Sequence, residues 1–109
     1  MKKTISITTT LVFSALPFFT SAQENAETLL SDGMCYACHQ LQDASIGPSW
    51  QAIAARHGNR KDLMTDVLAN KIINGGGGNW GLVPMVPNQR VNEADAKQMA
   101  QWILDQSSQ

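Results

Sequence analysis

The chain reads as one small all-α domain of three to four short helices. Three observations predict this. Apolar residues recur at helical spacing in several segments, recognisable start and stop residues bracket those segments, and nothing alternates apolar with polar residues as a half-buried strand does.

The first helix is expected over Ala26 to Asp32, with Gly33 as a stop residue, and it delivers the chain into Cys35-Tyr36-Ala37-Cys38-His39. Residues 40–47 show no sustained period and read as loop. Pro48-Ser49-Trp50 opens a second helix, with Pro48 at its first position. Trp50, Ile53, Ala54 and His57 share one face of that helix, and Gly58 stops it. The third helix runs from Lys61 to Ile73 with Leu63, Val67, Leu68 and Ile72 as its apolar residues and Asn74-Gly75 as its cap. Four glycines, Gly75 to Gly78, begin an irregular stretch to Arg90 that contains Pro84 and Pro87. Asn92 is a good N-cap for the last helix, and Glu93 and Asp95 place negative charge where the helix dipole favours it. Ala96, Met99, Ala100 and Ile103 mark its buried face, widened by Trp102 and Leu104.

The first 22 residues have the pattern of a cleaved signal peptide. Lys2 and Lys3 form a positive start, Ile5 to Phe19 an apolar stretch, and Thr20-Ser21-Ala22 a small-residue cleavage site. Thr8, Thr9, Thr10 and Pro17 interrupt the stretch, which is short for a permanent anchor. The expectation is export, cleavage near Ala22, and a single domain over residues 23–109.

That domain has six Lys and Arg against nine Asp and Glu, a net charge of −3, which argues against nucleic acid as a partner. At 87 residues it buries only about 60% of its unfolded surface and needs help to be stable. Tyr36, Trp50, Trp80 and Trp102 are its only aromatics, and its two cysteines leave no disulfide framework to find.

Cysteine chemistry supplies the help. C-x-x-C-H is the attachment signature of a c-type haem. Two thiols three positions apart can add across the two vinyl groups of one porphyrin as thioethers, and the following imidazole becomes an axial ligand. Haem held this way cannot be lost without breaking covalent bonds, and it provides apolar core. C-x-x-C also occurs in thioredoxin-like redox pairs, zinc sites and local disulfides. The first needs a βαβ setting that is missing here. A four-ligand zinc site would consume Cys35, Cys38, His39 and His57, at a spacing that matches no usual finger.

A six-coordinate haem needs a ligand opposite His39. Met34 adjoins the motif, and Met64 and Met99 sit in helical patterns as core fillers. His57 ends a helix beside Gly58, where a surface or capping role fits better. Met85 lies outside any helix in Val83-Pro84-Met85-Val86-Pro87-Asn88, between two prolines that stiffen the loop. A stiff loop loses less entropy when its thioether is held, so Met85 is the expected ligand. A Met/His pair leaves no open site for oxygen or peroxide and raises the reduction potential.

With these segments in place, the mature chain resembles the short bacterial class I cytochromes c that donate electrons to periplasmic reductases and terminal oxidases. The resemblance rests on Cys35 to His39, Ile46-Gly47-Pro48, Asn74-Gly75 through Trp80-Gly81, Val83 to Asn88, and Trp102. It implies a small cytochrome c fold packed around one haem c, joined through Cys35 and Cys38, with His39 and Met85 on the iron. It further implies that the Pro48 carbonyl accepts the Nδ1 proton of His39, that Asn88 orients the Met85 sulfur, and that the Trp80 indole donates to a haem propionate. Related chains often carry Arg at the position of Lys71, and Lys cannot make the same bidentate contact.

The expected function is a periplasmic one-electron carrier and not an enzyme. Its partners would be redox proteins: a quinol-oxidising complex or another cytochrome upstream, and a reductase, oxidase or peroxidase downstream. Leu82, Val83 and Val86 would line the docking patch. Neither membrane insertion of the mature chain nor assembly beyond a monomer is called for. The alternative is a haem-based sensor or enzyme in which a small ligand displaces Met85.

Overall fold

The computed structural model describes residues 21–107, so positions 1–20 of the expected leader lie outside the described residues. Four α-helices follow one another: α1 Ser21–Asp32, α2 Trp50–His57, α3 Lys61–Asn74 and α4 Glu93–Leu104. Single 3₁₀ turns occupy Cys35–Ala37 and Gly58–Arg60. There is no strand among the described residues, only an isolated antiparallel bridge between Gly76 and Met85.

α4 is the centre of the molecule and packs on α1, α2 and α3. Its buried residues, Ala96, Met99, Ala100, Trp102, Ile103 and Leu104, are those that the helical spacing selects. Ala26 and Leu30 meet them from α1, Trp50 and Ile53 from α2, and Ala69 and Ile72 from α3. The start of α4 is also as expected: the Asn92 side chain accepts from the Asp95 backbone N–H at 2.9 Å, satisfying one of the helix's orphan donors.

Two boundaries differ from the expectation, the starts of α1 and α2, while α2 ends at Gly58 as expected. α1 begins at Ser21 and not Ala26. Pro48 is not the first residue of α2: Ser49 is the N-cap, its hydroxyl accepting from Ala52 N at 3.1 Å, so Pro48 lies one residue outside. This frees the Pro48 carbonyl for a side chain. Gly58 ends α2 in right-handed geometry, and the chain continues through its 3₁₀ turn directly into α3.

The buried face of α3 also departs from the reading. Leu63 and Val67 are exposed, while Met64, Ala69 and Ile72 are buried. Apolar residues surround too much of this helix for spacing alone to orient it, and contact with α4 decides. Lys97 of α4 reaches Asp66 of α3 at 3.2 Å and Glu93 at 3.1 Å, and Lys61 pairs with Asp105. These exposed pairs contribute little each.

Replacing Asn92 by Ala is expected to cost about 1 kcal/mol by losing the cap. Denaturant unfolding should show a lower midpoint at an unchanged slope.

Candidate metal centre

The cysteine motif begins where α1 ends. Gly33 N–H returns to Leu29 O at 2.9 Å and Met34 N–H to Ser31 O at 2.9 Å. The left-handed residue of this turn is Met34, with φ of 58°, and not Gly33. A side chain held there costs about 1–2 kcal/mol, and the turn launches Cys35 straight into its 3₁₀ helix. His39 N–H and Cys38 N–H both return to Cys35 O, at 3.0 and 3.2 Å. The two sulfurs thus leave one helical turn three residues apart, both half-buried. Burial pushes the Cys35 thiol above its ordinary value. Redox C-x-x-C pairs need the opposite, a thiolate favoured near neutral pH.

His39 is buried, and its ring is held on three sides. Nδ1 lies 2.7 Å from the Pro48 carbonyl and donates its proton there, which leaves the Nε2 lone pair as the donor toward a metal. Trp50 stacks on the ring with centroids 4.5 Å apart and planes at 21°. Gly47 closes the third side: a Cβ there would lie 2.5 Å from His39 Cε1. The stack continues inward, since Trp102 of α4 meets Trp50 edge-on at 6.4 Å. Spacing alone placed Trp50 on a helix face without showing that it packs on the imidazole.

Met85 is half-buried. Like Cys35, it packs against the margin of the core, so the structure brings thiol and thioether to the same cluster. Two backbone bonds hold it in place, Gly76 N–H to Met85 O at 2.9 Å and Met85 N–H to Gly76 O at 2.8 Å. Gly75 makes the approach possible. It has φ of 68°, and a Cβ on it would lie 2.4 Å from Met85 O. Three of the four glycines therefore form a fitted strap: Gly76 lies against Lys71 and Gly77 against Pro84, whereas Gly78 faces open space.

Asn88 makes contacts that the sequence does not predict. Its Nδ2 donates to Gly33 O at 3.0 Å, while its backbone N–H donates to Ile72 O at 3.1 Å. It ties the Met85 loop to the end of α3 and to Gly33, two residues before Cys35.

Trp80 is nearly half exposed rather than core. The Arg56 guanidinium lies 4.8 Å from its ring centroid, and His57 meets it edge-on at 6.4 Å. His57 therefore stands with Trp80 rather than with the cysteines. Among the described residues, no group of three or more His, Cys, Asp or Glu side chains could hold a metal ion. That leaves the zinc arrangement without a place.

The donor set fits an iron porphyrin. Two thiols on one turn can meet two vinyl groups, and one imidazole nitrogen and one thioether sulfur are free to ligate. Leu82, Val83, Val86 and Ile46, all largely exposed, add apolar surface on the two loops beside these donors.

The chain was compared with known proteins. The family model "Cytochrome c" matches residues 23–107. Cytochrome c-552 of Hydrogenobacter thermophilus is 49% identical over 78 residues, covering 72% of this chain and 78% of that one. Cytochrome c-552 of Nitrosomonas europaea is 43% identical over 95 residues, covering 87% and 90%. The crystal structure of wild-type Nitrosomonas europaea cytochrome c552 superposes with a TM-score of 0.69 at 42% identity, over 72% of this chain and 96% of that one.

Two outcomes are expected from this geometry. Gly75→Ala forces a Cβ into the Met85 carbonyl at a left-handed φ, so hydrogen exchange at the Gly76 and Met85 amides should accelerate on the order of tenfold. His57 concerns pH. Burial first, then the Arg56 and Arg60 charges, hold it below the ordinary imidazole value. The unfolded chain thus takes up the proton first on acidification. The stability this group contributes is present above about pH 6.5 and is lost as pH falls through the lower folded value. The drop in melting temperature between about pH 7 and about pH 5 should shrink in His57→Phe.

Proposed function

Since the chain belongs to the cytochrome c family, is an electron-transfer protein and carries one covalently bound haem c, we propose that it is an exported periplasmic carrier with His39 and Met85 as the axial ligands. Cys35 and Cys38 provide the thioether links, Pro48 fixes the His39 tautomer, and Trp80 faces a propionate. Residues 1–22 are a signal peptide removed at Ala22. The observation that carries the reading is the His39 arrangement: with Nδ1 committed to the Pro48 carbonyl at 2.7 Å, Nε2 is the only ring atom left to bind iron.

The bound haem supplies a single-electron couple between ferrous and ferric iron. The protein residues keep that exchange from becoming ligand chemistry. The Met85 thioether would favour the ferrous state and leave small ligands no open place on the iron. The Gly76–Met85 bridge and the Asn88 contacts limit how far the sulfur can retreat. Little then rearranges between oxidation states, which suits fast transfer.

Docking is assigned to the loop that carries Met85. Leu82 is fully exposed, and Val83 and Val86 are mostly so, with relative exposures of 101%, 65% and 73%. A small apolar patch of this kind supports brief, weak contact with redox proteins. Upstream these are a quinol-oxidising complex or another cytochrome, and downstream a reductase, oxidase or peroxidase. No helix among the described residues is long and apolar enough to cross a membrane.

Optical spectra of the holoprotein test the ligation. The oxidised protein should show the weak near-infrared sulfur-to-iron band, and carbon monoxide should leave the reduced spectrum unchanged at neutral pH. In Met85→Ala the haem should stay attached while the band disappears, carbon monoxide binds and the potential falls. A variant that retains both band and potential would remove Met85 from the iron.

A further inference from the structure

We propose that Arg56 is the positioning residue for Trp80. From α2 it clamps a glycine-rich loop that has little stiffness of its own, and so sets how the indole is presented to the haem. The redox half of this inference rests on the reading of Trp80 as a propionate donor. The clamp itself rests on geometry alone.

The segment needs a clamp. Between Gly75 and Gly81, four glycines have positive φ: Gly75, Gly76, Gly78 and Gly81. Gly78 and Gly81 have no atom within 4 Å of where a Cβ would stand, so packing does not restrain them. Glycine gives such a segment more backbone freedom than any other residue. Trp80 lies between these two unrestrained positions. Its indole is nearly half exposed, so burial does not fix it either.

Arg56 acts on two consecutive residues. Its Nη1 donates to the Asn79 carbonyl at 2.9 Å, and its guanidinium carbon lies 4.8 Å from the Trp80 ring centroid. The planar fork can satisfy both at once, stacking on an aromatic face while donating to an oxygen, as an ammonium cannot. His57, the next residue on α2, borders the same indole edge-on at 6.4 Å. Arg56 forms no ion pair among the described residues, so no carboxylate competes for its fork.

The base of the clamp is firm. Trp50, Ile53 and Ala54 anchor α2 in the core while Arg56 points outward. Replacing an exposed Arg should therefore leave the fold intact, and its effects should be confined to the loop.

The test uses the holoprotein with Arg56→Met, Arg56→Lys, Trp80→Phe and the Arg56→Met/Trp80→Phe pair, read by amide hydrogen exchange and midpoint potential. Arg56→Met should speed exchange at residues 79–81 about tenfold, the combined effect of one hydrogen bond and one cation–π contact. Exchange in α2 and α4 should be unchanged. Arg56→Lys should recover less than half of this loss, because it restores the charge without the planar fork. The potential shift caused by Arg56→Met should be smaller when Trp80 is already Phe. Wild-type exchange at 79–81 in Arg56→Met would overturn the clamp. Full recovery of exchange and potential by Lys would overturn it too, reducing Arg56 to a nearby charge. If Trp80→Phe leaves the potential unchanged while Arg56→Met still frees the loop, the propionate assignment of Trp80 falls and the clamp stands.

Discussion

The hydrogen bond from His39 Nδ1 to the Pro48 carbonyl is the constraint on which the site depends. It selects the tautomer, aims Nε2, and does so with a backbone atom whose position is set by the start of α2. Ser49 caps that helix, so the preceding carbonyl is free to accept from the imidazole. Trp50, the first helical residue, then stacks on the same ring and passes the contact to Trp102 in α4. Aromatic contacts of this kind contribute about 1 kcal/mol each beyond burial. The His39 imidazole is thus continuous with the core, and moving it means disturbing α2 and α4 together.

The methionine side is built from different forces. Met85 is held by the Gly76 bridge and by Asn88, which reaches across 55 residues to Gly33. These are two backbone bonds and one side-chain bond on a half-exposed loop, each contributing on the order of 1 kcal/mol. Such a loop can open locally without unfolding the helices. The asymmetry suits the proposed ligation, because an imidazole would bind iron in both oxidation states whereas a thioether would need the protein to keep it near.

What could be read in the sequence follows from how local each signal is. α4 was readable throughout, because Asn92, the acidic first turn and a single apolar stripe lie within one continuous segment. The C-x-x-C-H motif was readable because covalent chemistry fixes its spacing. The inward face of α3 was not: Leu63 and Val67 are as apolar as the residues that are buried, and only α4 discriminates among them. Gly47 against His39, Asn88 on Gly33 and Arg56 on Trp80 depend on contacts between segments far apart in the chain, which no local pattern encodes. The glycine run shows the limit best. Composition does not say which glycines are held, and the structure makes Gly75 to Gly77 the strap and leaves Gly78 open.

Charge shows a similar gap between composition and placement. The domain after Ala22 has a net charge of −3, which as a sum would favour basic partners. Lys61 and Lys97, however, are spent on Asp105, Asp66 and Glu93 along α3 and α4. Arg56 and Lys71 form no ion pair among the described residues, and both lie on the glycine loop, Arg56 at Trp80 and Lys71 with its Nζ beside Gly76. Exposed charges are screened beyond about 8 Å at physiological salt. Arg56 and Lys71 therefore put positive charge on the glycine loop that the net charge of the domain does not reveal.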